Sequence, residues 1–175
     1  MIYNENEENF EDESLEVDGK VVHYKHAVLD KKLDQELINL SEKDQEFIRY
    51  SLGDAEDLLM LLPEKKTINN YTTEDLDELL YLWNNKKMTF PHTNEEQFVC
   101  AIGSAFGHYL NKEVKTVWTI VNDEYGTDYA CAGTTHSFQL FPFSSVWKAV
   151  EQNREKSLDG IVLVVKNNIE EWEKK

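Results

Sequence analysis

Between Thr93 and Asn111 the chain places Phe98, Ala101, Ile102, Ala105, Phe106 and Tyr109 at helical spacing, with Gly103 and Gly107 in the interior of the same segment. Glycine inside a helix costs about 1 kcal/mol relative to alanine. Two of them four residues apart therefore predict a helix whose missing side chains admit another backbone at close range. The strands that follow are the expected neighbour. Thr93 with Glu96 matches a capping box for the start of this helix. After Lys112 the period changes from 3.6 towards 2, and β-branched and aromatic residues take over in Val117, Trp118, Thr119, Ile120 and Val121.

Turn residues at Asp123 to Asp128 and at Gly133 to Thr135 divide this region into three strands, the last carrying Phe138, Gln139, Leu140 and Phe141. Connections this short force antiparallel neighbours. Pro142 is read as the stop of the meander, with Ser144 or Ser145 capping a helix through Val146, Trp147 and Val150. Leu158, Ile161, Val162, Val165, Ile169 and Trp172 keep helical spacing through the run IVLVV, so the last segment from Ser157 is predicted as helix.

Upstream, Val21, Val22, Tyr24, Ala27 and Val28 read as a short strand or extended lead-in. Leu29, Leu33, Leu37 and Leu40 recur at helical spacing. Ser41 with Asp44 opens a helix expected over 42–62, with Ile48, Leu52, Ala55, Leu59 and Leu62 on its apolar stripe and Pro63 beyond it. Thr73 is the expected cap of a further helix bearing Leu76, Leu79, Leu80 and Trp83. The fold class is α+β: a helical N-terminal half, then a small antiparallel three-stranded meander packed by several helices.

The 175 residues fit one domain, expected from residue 19 to 175. Ahead of it, residues 1–18 carry Glu5, Glu7, Glu8, Glu11, Asp12, Glu13, Glu16 and Asp18 without Lys or Arg, and are expected to form an unordered acidic tail. With 34 acidic against 18 basic residues, the formal net charge of -16 repels phosphate backbones and anionic lipid. Partners are therefore expected to be neither nucleic acid nor membrane. A basic protein partner, a cation or simple solubility each fit this charge. The N-terminus lacks the basic start and apolar run of a secretory signal, so the expected compartment is the cytoplasm. Cys100 and Cys131 are too few for a disulfide framework and sit in apolar surroundings, as buried free thiols do.

Candidate chemistry concentrates in the turn from Asn122 to Asp128. Asp123, Glu124 and Asp128 surround Gly126, and Tyr125 lies between them. A structural hairpin explains Gly126, while the three carboxylates suit a hard cation, though the ligand series of a calcium loop is absent. Ser104 and His108 are four apart on the glycine-bearing helix, but no orienting group or oxyanion site is apparent. The candidate binding residues are Asp123, Glu124, Tyr125, Asp128, His108 and Trp118. His23, His26, His92 and His136 lack the spacing of a zinc site, and no phosphate loop, dinucleotide fingerprint, nucleophile elbow or HExxH is present. No cofactor and no metal is expected.

The segments AIGSAFGHYL, WTIVNDEYGTDYA and FQLFPFSSVWKAVE together resemble a bacterial domain family of unknown function, over roughly residues 93–170. Gly103, Gly107, Trp118, Asp123, Glu124, Tyr125, Gly126, Asp128 and Pro142 carry the resemblance. It implies an α+β fold with a small antiparallel sheet and transfers no activity, cofactor or catalytic residue. Three readings of function follow. The first is an acidic binding module that engages a basic protein, in the manner of an immunity-type inhibitor sequestering a basic toxin. The alternatives are a metal-assisted hydrolytic enzyme at the 123–128 turn and a structural or assembly protein.

Overall fold

The helix with the two glycines lies at the centre of the protein. The computed structural model describes residues 10–17, 20–27, 35–154 and 156–174. In chain order these form β1 (Phe10–Val17), β2 (Lys20–Ala27), β3 (Glu36–Ile38), α1 (Glu42–Leu59), α2 (Thr73–Asn84), α3 (Glu95–Glu113), β4 (Thr116–Asp123), β5 (Gly126–Gly133), β6 (Gln139–Leu140), α4 (Pro142–Glu151) and α5 (Ser157–Glu173). Helix α3 buries Phe98, Val99, Ala101, Ile102, Gly103, Ser104, Ala105, Phe106, Gly107 and Leu110. It packs against α1, α2 and α4 and against β4 and β5. A helix buried over most of its circumference must be apolar nearly all round, as this one is.

The strands form a four-stranded antiparallel sheet in the order β3-β4-β5-β6 and a separate two-stranded sheet of β1 and β2. The α+β class and the antiparallel meander are thus present, with one strand more than expected. That strand, β3, overturns the helical reading of Leu37. Its Leu37 and Ile38 pair with Val121 and Ile120, and the Thr119 hydroxyl donates to the Ile38 carbonyl at 3.0 Å. Leu37 is 55% exposed, so its four-residue spacing from Leu33 marks no buried stripe. Leu29 and Leu33 lie outside the described residues. The expected acidic tail is corrected over Phe10–Val17, which pairs as β1 with β2 from Phe10↔Ala27 to Val17↔Lys20. Its remaining residues, 1–9 and 18, lie outside the described set.

Helix ends follow local capping with small displacements from the expected positions. Ser41 and Asp44 form the predicted box on α1, which ends at Leu59 with Met60 as its C-cap. On α2 the box is Thr72 with Asp75, and on α3 it is Asn94 with Gln97, each one residue from the expected start. The Thr93 hydroxyl instead donates to the Pro91 carbonyl. Pro142 is the first residue of α4, where its missing N–H costs nothing, so it opens a helix as well as ending a strand. Neither Ser144 nor Ser145 caps that helix.

The glycines of α3 take up the close approach expected of them. A Cβ on Gly107 would overlap the six-membered ring of Trp118, and one on Gly103 would lie 3.1 Å from the Phe143 Cα. Gly103 thus seats α4 and Gly107 seats β4. On the far side of α3 the Tyr71 hydroxyl donates to the Ala105 carbonyl at 2.7 Å, and Trp83 stacks on Phe98 with centroids 4.2 Å apart.

Helix α5 has no side-chain cap of its own, its N-cap Lys156 being left-handed at φ 54. The cap comes from α2: the buried Asp77 carboxylate accepts the N–H groups of Leu158 and Asp159, each at 3.0 Å. Burial pushes this carboxyl above its ordinary 3.8, and the N–H groups of Asp159, Leu158 and Ser157 oppose the shift. Thr73 of α2 adds a hydrogen bond to the Asp159 carboxylate at 3.0 Å. Asp77→Ala strands those amides in the interior and is expected to lower the unfolding free energy by about 2 kcal/mol, measured by urea denaturation.

Two alanine substitutions should separate packing from propensity. Gly107→Ala overpacks the Trp118 seam and is expected to cost about 2–3 kcal/mol. Gly53→Ala, on exposed α1 with nothing within 4 Å of the added carbon, is expected to stabilise by about 0.5–1 kcal/mol. Thermal unfolding midpoints moving in opposite directions, by about 2–4 °C per kcal/mol, would check both.

Candidate functional site: an acidic and aromatic face

Trp118, seated in the Gly107 gap, begins a run of rings that leads out of the core. It stacks on Phe143 of α4, centroids 5.6 Å apart and planes 26° apart. Phe143 meets Tyr129 of β5 edge-on at 5.6 Å and Phe47 of α1 at 5.7 Å, and Phe47 meets Tyr129 at 5.8 Å. Phe47 is 37% exposed, so the series ends in solvent. Four elements contribute one ring each. The register explains the pairing: Trp118 lies opposite Cys131 and Tyr129 opposite Ile120, which puts all four on the sheet face turned to α3.

Carboxylates frame the outer end. The Tyr129 hydroxyl donates to Asp44 Oδ1 at 2.6 Å, while Asp44 Oδ2 accepts from the Ser41 N–H at 2.8 Å and the Ser41 hydroxyl at 2.5 Å. One side chain therefore closes the cap of α1 and ties α1 to β5. The Ser41 hydroxyl first, then the Tyr129 hydroxyl, hold the Asp44 carboxyl below its ordinary 3.8. Burial first, and then Asp44, push the Tyr129 phenol up to about 12. One residue earlier, Asp128 accepts the Ser144 hydroxyl at 2.5 Å and the Tyr129 N–H at 2.7 Å.

The β4–β5 turn is built as its residues suggest. Asp123 pairs with Gly126 across a two-residue loop, and Gly126 adopts φ 129, a conformation that side chains disfavour. Asp123 Oδ1 accepts the Tyr125 N–H at 2.8 Å, and the Thr127 hydroxyl donates to Asn122 Oδ1 at 2.8 Å. Glu124 and Tyr125 are exposed. Beside the turn an open polar groove of about 360 Å³ is lined by Gln35, Glu36, Asn122 and Asp123.

The predicted site residues thus divide into separate places. Trp118 belongs to the ring series, Asp128 supports it through Ser144, and Asp123, Glu124 and Tyr125 form the turn at the end of the sheet. His108 is elsewhere, half-buried with its ring 6.5 Å from that of Tyr71, and burial and then Lys112 hold it below its ordinary value. Ser104 is fully buried and its hydroxyl makes no hydrogen bond, so it is not joined to His108. Among the described residues no three His, Cys, Asp or Glu side chains are grouped to hold a metal ion. Cys131 is buried, its thiol donating to the Gly107 carbonyl at 3.7 Å and pushed up to about 12 by burial, and Cys100 is half-buried; both are free.

Sequence reasoning did not reach Phe47, Tyr129 or Phe143, and read Asp44 and Ser144 only as local caps. The signal available was Phe47, an aromatic residue set off the apolar stripe of α1. Because the Tyr129 phenol is raised from 10.0 to about 12, its contribution to stability is fully present below pH 10 and lost as pH rises through 12. Tyr129→Phe is expected to remove that alkaline loss, and chemical denaturation of both proteins between pH 9 and about 12 would read it.

Residues 78–161 match the model of a family described as a domain of unknown function (DUF3806), which confirms the resemblance to such a family over that span. The match begins in α2, earlier than the motifs alone indicated, and ends in α5. It takes in the site residues of β4, β5 and α4 and leaves out Gln35, Glu36, Ser41, Asp44 and Phe47. A crystal structure from Bacteroides thetaiotaomicron VPI-5482 superposes with a TM-score of 0.52 at 13% identity, covering 87% of this chain and 69% of that one. At that identity the likeness concerns the fold. No curated protein matches the chain. Among the described residues no helix is long and apolar enough to cross a membrane.

Proposed function

We propose that this chain is a cytoplasmic bacterial binding module that engages a basic protein through the face formed by α1, the start of β5 and α4. The observation that carries the reading is the ring series ending at exposed Phe47, with the carboxylates of Asp44 and Asp128 held in place beside Tyr129. Large rigid rings that are already ordered lose little entropy on contact, and aromatic side chains dominate the energetics of many interfaces. A net charge of -16 steers a cationic partner toward the molecule and repels acidic competitors. An immunity-type inhibitor covering a basic toxin is the form of module these properties suit.

A hydrolytic site at the turn has less support. Asp123 is committed to the Tyr125 amide, Asp128 to Ser144 and the Tyr129 amide, and His108 lies against Tyr71. A metal-dependent reaction would need donors that converge, and these do not.

Affinity capture from native lysate tests the proposal. The wild-type chain is expected to retain a stoichiometric protein of basic isoelectric point, released by high salt and lost from a Phe47→Ser variant that still unfolds in one cooperative transition. Retention of the same partner by that variant, or recovery of none by either protein, would overturn it.

A further inference from the structure

We propose that the segment of the basic partner seated on this face is an amphipathic α-helix with lysine or arginine on its flanks, and that Trp147 of α4 is its second aromatic anchor beside Phe47; this rests on the binding reading above. Trp147 is 44% exposed and Phe47 37%. Trp147 lies four residues after Phe143 on α4, one turn along the same face, and Phe143 meets Phe47 with centroids 5.7 Å apart. On α1, Tyr50 is three residues after Phe47 and 71% exposed. The exposed rings of two helices thus spread from one contact. The core does not require them there, because α4 buries Val146 and Ala149, and α1 buries Ile48, Ser51 and Ala55.

The backbone decides what kind of segment fits. Phe47, Tyr50 and Trp147 all lie between the first and last turns of their helices, where N–H and C=O groups are bonded along the helix. An extended segment would press its own unpaired backbone groups against a surface whose backbone has nothing to exchange with them. A helix arrives with those groups satisfied and contributes only side chains, at i, i+3, i+4 and i+7.

Charge sets the flanks. Helix α1 carries Glu42, Asp44, Glu46, Asp54, Glu56 and Asp57 against Lys43 and Arg49. The exposed Glu151 follows Trp147 by one turn of α4. A helix with an apolar stripe and cationic flanks matches both features, and the stems of its lysines or arginines cover further apolar surface. A second copy of this chain, itself of charge -16, and anionic lipid are both repelled.

The test titrates the full-length chain by calorimetry with three synthetic peptides, each about five helical turns long. The first has leucine on one face and lysine on the other, the second holds the same residues in an order that breaks the stripe, and the third replaces lysine by glutamate. The striped lysine peptide is expected to bind about ten-fold tighter than the reordered one, and the glutamate peptide not at all. Trp147→Ala should weaken the striped peptide about ten-fold, whereas Trp172→Ala, at the exposed tryptophan of α5, should leave it unchanged; both variants are expected to unfold in one cooperative transition. Glu151→Lys should weaken it about three-fold without touching a ring. Equal binding of the striped and reordered peptides, binding indifferent to Trp147 and Glu151, or no peptide binding would overturn the helix assignment. The binding module then stands if protein capture still depends on Phe47, and falls with it if capture does not. Trp147-dependent attachment to zwitterionic phosphatidylcholine vesicles would overturn the helix in favour of a membrane surface.

Discussion

The contact between Gly107 and Trp118 sets the distance between α3 and the sheet, and much else follows from that distance. With no Cβ at Gly107, the indole lies directly on the helix backbone, and its position fixes that of Phe143, which occupies the equivalent gap at Gly103. Two glycines cost propensity of about 1 kcal/mol each in an isolated helix. The offset is burial: α3 is covered on nearly every side, and the area that Trp118 and Phe143 remove from water exceeds what two alanine methyls would contribute. The same seam also decides where β5 and α4 stand, and so where Tyr129 and Phe47 meet.

Around this seam, carboxylates join elements that are distant in the chain. Asp77 caps α5 from α2, and Asp44 caps its own helix while receiving the hydroxyl of Tyr129. In a chain with this much negative charge such pairing has a particular value. A carboxylate that accepts N–H and O–H groups is stabilised by dipoles and consumes none of the few cations, so acidic side chains become connectors between helices. Their cost differs with burial. Asp77 is raised because desolvation outweighs its donors, whereas the less buried Asp44 is lowered because its donors outweigh desolvation.

What could be read from the sequence is what is local. The capping box at Ser41, the change of period after Lys112, the hairpin at Gly126 and the helix through Ile161–Val165 depend on neighbours within a turn or a strand. The one-residue displacements at α2 and α3 arise because adjacent residues offer equivalent boxes: Thr72 with Asp75 beside Thr73, and Asn94 with Gln97 beside Thr93. The choice between them is made by packing, since Thr73 is buried against Asp159. Strand β3 is three residues long and exists through pairing with β4 more than eighty positions away, so no pattern in its own residues announces it. For the same reason Trp118 could be singled out and its companions Phe47, Tyr129 and Phe143 could not, because they come from three other elements.

The ring series also bears on why a fold would keep an aromatic residue in water. Phe47 packs against Tyr129 and Phe143 and remains 37% exposed. A core function alone would be served by a ring that closes the stack, with Asp44 facing solvent independently. Here the exposed ring and the carboxylate both contact the same tyrosine, so each is held in place by it. Preorganisation of this kind converts a modest number of contacts into affinity, and long-range charge supplies the encounter rate. In the proposed association the acidic composition and the aromatic face would act on different steps, attraction at a distance and packing at contact.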